Sequence, residues 1–206
     1  MKKTVLVGTL AIAALVWNCK ENEGVMATTY VLDDTKSVAE WKGYLRTGYF
    51  NEGSIQIKSN NLTVQDGKVT GGTFSIPLSS IKNFNLPIDS LKQLLIHHLQ
   101  SEDFFNMALY PDLSYTITSV APYDGTVGIA GANYQVNGNL TMLGKTNPVS
   151  FPARINLSNN DFTAEGTLKV NRTLWGITYA SDPALPDASF IKPDIDIHLK
   201  LVGSHL

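Results

Sequence analysis

Apolar residues recur at every second position through most of this chain, and that period restricts the fold more than any other feature. Val149, Phe151, Ala153, Ile155 and Leu157 alternate with Ser150, Arg154, Asn156 and Ser158. Phe162, Ala164, Gly166, Leu168 and Val170 alternate with Asp161, Thr163, Glu165, Thr167 and Lys169. The same pattern runs through Ile191 to Leu201, Tyr134 to Met142, Leu113 to Ile117 and Phe74 to Leu78. Successive side chains of a strand point to opposite faces, so each segment has one greasy face and one wet face. That is antiparallel sheet with a single solvated side. Asp66-Gly67 predicts a type I′ hairpin, and Asp124-Gly125 and Ser158 to Asp161 predict further turns. Such a set of strands closes as a sandwich or as a barrel, and periodicity does not choose between them.

One segment has helical spacing instead. Ser90 with Gln93 predicts a capping box, after which Leu91, Leu94, Leu95, His98 and Leu99 fall on one face. A single short amphipathic helix among strands lies over the sheet or across a barrel mouth.

The remaining totals act mainly by exclusion. A length of 206 residues suits one domain, and 43% hydrophobic residues exclude a disordered chain. A formal net charge of −2 leaves no basic surplus for a phosphate backbone, so nucleic-acid binding is not expected. The single cysteine, Cys19, excludes an intrachain disulfide. Lys2 and Lys3 followed by the apolar run Thr4 to Trp17 have the form of a signal peptide, too short for a membrane span. Cys19 stands where that run stops, which predicts a lipidated cysteine and a membrane anchor, although Trp17 and Asn18 replace the usual small residue before it. Cleavage after Ala27, in Val25-Met26-Ala27, is the other option. The expected layout is a leader over 1–18, a polar tether over 19–28 and one barrel domain over 29–206, in a protein exported to the periplasm or anchored in the bacterial envelope.

Candidate chemistry is sparse. His97 and His98 are about 100° apart on a helix and cannot share one metal. Gly138 to Thr146 has five residues between its glycines where a P-loop needs four. Asp194 and Asp196 share the outer face of the last strand. No Gly-x-Ser-x-Gly elbow occurs. The expectation is a protein with no catalytic residue, no metal and no cofactor.

His98 to Phe105 followed by Tyr110-Pro111, Gly138 to Gly144, and Asn171 to Ile177 resemble, in order, sequence blocks of the YceI-like family. The opening Tyr30 to Asp33 with Ser37-Val38, and Asp187 to Asp194 near the end, also fit. The second strand, Ala39 to Leu45, departs from the family pattern with Trp41 and Gly43. The resemblance implies an all-β, extended, closed, lipocalin-like antiparallel barrel with one short helix. It also implies a long internal cavity for a polyisoprenoid, an isoprenoid quinone or a similar amphiphile. The alternation then proposes the lining: Ala39, Trp41 and Leu45, with Phe74, Ile76, Tyr115, Ile117, Val136, Leu140, Leu168, Ile195 and Ile197. Leu95, Leu99, Phe104 and Phe105 would come from the helix and the following turn as a lid. Trp175 and Arg172 lie in a family-like block. Arg172 has two readings, contact with a ligand head group or hydrogen bonds to loop carbonyls. The rival to the cavity is a solid-core module that binds another envelope protein through its loops.

Overall fold

The computed structural model describes residues 27–158 and 160–205, so the predicted leader, Cys19 and nearly all of the tether lie outside the described residues. Among these described residues twelve strands form one antiparallel sheet. They are β1 (Thr28–Leu32), β2 (Val38–Tyr44), β3 (Phe50–Gln56), β4 (Leu62–Gln65), β5 (Lys68–Gly71), β6 (Thr73–Pro77) and β7 (Lys82–Asn83). A helix, α1 (Asp89–Gln100), precedes β8 (Asp112–Pro122), β9 (Tyr134–Met142), β10 (Lys145–Leu157), β11 (Asp161–Asn171) and β12 (Asp194–His205). Thr28 therefore already belongs to the sheet.

The main path runs β5-β4-β1-β12-β11-β10-β9-β8-β6, with β2 and β3 branching from β12. The gap between β3 and β6 is bridged by two backbone hydrogen bonds of 2.9 Å between Lys58 and Ser75. The sheet is thus a nearly closed antiparallel barrel. Closure leaves few unpaired edges open to another chain. Two tight hairpins use paired left-handed residues, Asp66 and Gly67 (φ 51° and 67°) and Leu143 and Gly144 (φ 50° and 69°). Asp124-Gly125 makes no tight hairpin: residues 123–133 form a longer connection, in which the Tyr123 hydroxyl bonds both backbone groups of Val127 at 3.1 Å.

The strand β12 changes partner along its length. Residues Gly203 to His205 pair with β1, and Asp196 to Lys200 pair with β2. Val202 lies at the changeover. Ser37, fully buried between β1 and β2, fills the gap. Its hydroxyl donates to the Val202 carbonyl at 2.9 Å and accepts from the Val202 amide at 3.1 Å.

On the outer face a chain of ion pairs crosses four strands. Lys200 bonds Glu40 at 2.7 Å, and His198 stands between Glu40 (3.2 Å) and Glu165 (2.8 Å). Glu165 also meets Arg154. Lys200 holds the Glu40 carboxyl below its ordinary value, and the His198 hydrogen bond does the same for Glu165.

Two outcomes follow from this architecture. Ser37→Ala strands the amide of Val202, whose carbonyl keeps the Asp33 amide at 2.8 Å, and should lower unfolding free energy by about 1–3 kcal/mol in urea titrations. A serine-to-alanine change within experimental error of wild type would show that water replaces the hydroxyl. Because the folded-state pKa values of Glu40 and Glu165 are depressed, their stabilisation is present above the ordinary 4.5 and is lost as pH falls below it. Thermal midpoints should therefore drop on acidification below that value, and Glu40→Gln with Glu165→Gln should make the drop shallower. An unchanged slope in the double variant would assign the acid sensitivity elsewhere.

Candidate functional site

The inside of the barrel is a cavity of about 300 Å³, walled almost entirely by apolar side chains. From β2 it takes Ala39 and Trp41, with Leu45 just beyond the strand end. From β6 and β8 come Phe74, Ile76, Tyr115 and Ile117, and from β9 Val136 and Leu140. Strands β11 and β12 supply Leu168, Ile195 and Ile197. Leu95 and Leu99 reach in from α1, and Phe104 and Phe105 from the turn after it. The strand residues are those that the alternation assigned to the greasy face, and the last four are those expected from the helix and its following turn. The strand β12 starts at Asp194, so Ile191 contributes from a bridge to Leu45.

Trp175 is the exception. It is fully buried, but it lies outside the lining, in a 3₁₀ turn (Arg172–Trp175), with its indole nitrogen donating to the Leu140 carbonyl at 3.0 Å. The turn breaks the period of two, so parity does not aim this ring. Arg172 opens the same turn. Its guanidinium donates to the carbonyls of Ile177 (2.7 Å), Ile191 (3.0 Å) and Lys192 (3.5 Å). Among the described residues it forms no ion pair, and its ring neighbour is Phe104 at 6.0 Å. Burial pulls its pKa down from the usual range. The side chain faces the cavity, yet the bonds it makes are those of a loop anchor.

The helix also departs from expectation. It begins at Asp89, its N-cap is Ile88, and no side chain caps it, so Ser90 and Gln93 form no capping box. Asp89 sits in the first turn, where an acid suits the helix dipole, and pairs with Lys92 at 3.1 Å. The buried side is rotated from the predicted one. Leu95 and Leu99 face the cavity and Ile96 packs on the core, whereas Leu91 and Leu94 are 42% and 67% exposed. Gln100 ties the helix end to the Leu78 carbonyl at 3.0 Å. His98 packs edge-on against Phe104 and Tyr179, with Nε2 3.1 Å from Asp103. No grouping of metal-binding side chains occurs among the described residues.

The cavity owes its width to glycines. A β-carbon on Gly138 would lie 2.3 Å from the Tyr115 ring and 2.6 Å from the Thr116 carbonyl. One on Gly166 would lie 3.1 Å from Phe151, and one on Gly53 would lie 2.8 Å from Trp41. At Gly138 and Gly166 an aromatic ring of the adjoining strand stands closest to where a side chain would be, and at Gly53 the Lys82 carbonyl does, at 1.7 Å, with the Trp41 ring beside it. The ring lies against the wall, and the centre stays open. The Tyr115 hydroxyl donates to the Val149 carbonyl at 3.1 Å, and burial pushes its pKa up.

Two polar atoms in this lining are left over. Trp41 Nε1 and Asn51 Oδ1 are buried and, among the described residues, have no hydrogen-bonding partner. Asn51 was missed from the sequence because the inward positions of β3 are Asn51, Gly53 and Ile55, which carry no apolar alternation. The pairing of Gly43 with Asn51 and of Trp41 with Gly53 is what puts Asn51 on the inner face.

Residues 30–203 match the model of the YceI-like domain family. The chain belongs to the YceI-like family. The protein YceI of Salmonella arizonae is 31% identical over 102 residues, covering 46% of this chain and 49% of that one. A UPF0312 protein of Pectobacterium atrosepticum is 32% identical, with 46% and 48% covered. The aligned region spans about half the length of these curated relatives. Among solved structures, Burkholderia cenocepacia BcnA superposes with a TM-score of 0.62 at 19% identity, covering 83% of this chain and 98% of that one. A polyisoprenoid-binding domain from Saccharophagus degradans, implicated in plant cell wall breakdown, gives 0.61 at 14%, covering 87% and 99%. These neighbours share the fold of this YceI-like domain.

Gly138→Ala should force the Tyr115 ring off the wall and cost about 1–3 kcal/mol in denaturant unfolding. A variant as stable as wild type would mean that the wall yields without the ring.

Proposed function

We propose that this YceI-like domain binds and carries or stores a long-chain isoprenoid amphiphile inside its barrel, as a non-catalytic protein of the bacterial envelope. The observation that carries this reading is the apolar cavity, walled by nearly every strand and covered by Leu95 and Leu99 of α1. Apolar surface contributes about 25 cal/mol per Å² when it leaves water. A prenyl chain therefore has a large driving force to enter, reduced by the ordering and association costs of binding. The polyisoprenoid-binding activity of the Saccharophagus degradans neighbour supports the same ligand class. Export rests on the leader-like residues 1–18, and a membrane anchor rests on Cys19. A lipid-modifying enzyme would need an ionisable pair facing inward; among the described residues Glu165 is the acid of the lining, and its carboxylate is engaged outside with His198 and Arg154. The solid-core binding module has no use for a lined cavity of this kind.

Organic-solvent extracts of protein purified without detergent from an isoprenoid-producing bacterium should contain a stoichiometric prenyl lipid by mass spectrometry. Ile117→Trp and Leu140→Trp should lower that yield several-fold while circular dichroism stays unchanged. An extract without lipid, even after incubation with membrane lipids, would replace this reading with the surface-loop module.

A further inference from the structure

Trp41 Nε1 and Asn51 Oδ1 lie on neighbouring strands and on the same inner face. Trp41 pairs with Gly53, and Asn51 stands two residues earlier on β3. Diagonal neighbours of this kind have their backbones about 7–8 Å apart, within reach of long side chains. The Trp41 edge that adjoins Nε1 is further held toward β3, because its Cζ2 lies over Gly53, 2.8 Å from where a β-carbon would stand. The first atom is a donor only, and the second is an acceptor. Among the described residues neither has a partner, and both are buried. Of the other polar side chains of the lining, Tyr115 bonds the Val149 carbonyl, Arg172 three loop carbonyls, Tyr44, which faces outward, Asp196 at 2.9 Å, and Glu165 its outer-face partners, while Tyr49 is 52% exposed to solvent.

Building on the lipid-carrier reading, we infer that Trp41 and Asn51 form a head-group site for a neutral hydroxyl on an isoprenoid chain. A hydroxyl oxygen accepts from the indole N–H while its proton goes to the amide oxygen, so one group satisfies both leftover atoms. An ether or a carbonyl oxygen satisfies the indole alone. Among the described residues an anionic head finds no free cation in the lining, whose one basic residue, Arg172, is already bonded. The same chemistry is offered by a prenyl alcohol and by a reduced, phenolic quinone.

The test measures dissociation constants by calorimetry on the purified full chain, with each probe delivered from cyclodextrin. The probes are geranylgeraniol, its methyl ether, the corresponding C20 hydrocarbon, and a benzoquinol carrying the same chain beside its oxidised quinone. Geranylgeraniol should bind roughly tenfold tighter than its ether, and the ether several-fold tighter than the hydrocarbon. Asn51→Leu should erase the first difference and Trp41→Phe the second, with thermal melts confirming that both variants fold. Tighter binding of the benzoquinol than of geranylgeraniol would name the phenolic source, and the reverse order the alcohol. Equal affinity for alcohol, ether and hydrocarbon would overturn the head-group site and leave the carrier reading standing. Failure of every probe to bind would overturn both.

Discussion

The backbone pairing of β12 holds the barrel together. It is in register with β11 from Asp161–Ser204 to Asn171–Asp194, while its other edge serves β1 at one end and β2 at the other. One strand cannot pair with two neighbours at the same place, so a changeover is unavoidable, and there the Val202 carbonyl is met by the Asp33 amide at 2.8 Å while its amide must find another partner. A buried hydroxyl is the smallest group that both donates and accepts. Ser37 supplies it, and its own carbonyl accepts from Ile57 at 3.0 Å, which ties the start of β2 to the chain leaving β3. Closure of the sheet and the branching of β2 and β3 thus meet at one serine.

A closed sheet of apolar inward residues ordinarily fills itself. This one does not, because the largest inward rings lie flat. Tyr115, Phe151 and Trp41 each cover a glycine on an adjoining strand, so their area seals the wall instead of occupying the centre. The rings also shield backbone that the glycines would otherwise leave bare. Size is therefore distributed around the circumference: large beside nothing, repeated on three strand pairs. Alanine at Gly138 or Gly166 would push the Tyr115 or Phe151 ring inward and narrow the cavity, whereas alanine at Gly53 would strike the Lys82 carbonyl.

This explains what the sequence disclosed and what it withheld. Strands β8 to β12 were legible because their period of two is clean, and the inward parity of Tyr115, Val136, Leu140, Leu168 and Ile197 followed directly. The strand β3 was not, since Asn51, Gly53 and Ile55 mix a polar residue, a glycine and an apolar residue on one face. Whether the interior was open depended on contacts across strands, which no single-strand pattern encodes. Trp175 was put forward from its place in a family-like block, which does not aim the ring, and in a 3₁₀ turn no parity corrects it. The face of α1 was misjudged because its leucines outnumber the space available: Leu95 and Leu99 fill the inner side, and Leu91 and Leu94 are left outside.

Arg172 brings the two halves of the argument together. A buried guanidinium without a carboxylate carries a desolvation cost, which hydrogen bonds must offset. Its planar fork can reach several carbonyls at once, which the single ammonium of lysine does less well. Here it spans Ile177, Ile191 and Lys192, two separated points of the connection between the 3₁₀ turn and β12. The same connection returns along the barrel end, where Ile191 bridges Leu45 and the Lys192 amide bonds the Tyr44 carbonyl at 2.8 Å. The arginine therefore fixes the loop that frames this end of the cavity, beside Phe104 and on the side where β2 ends and β3 begins. A charge used in this way is spent on architecture, and the polar selectivity of the cavity passes to the uncharged pair formed by Trp41 and Asn51.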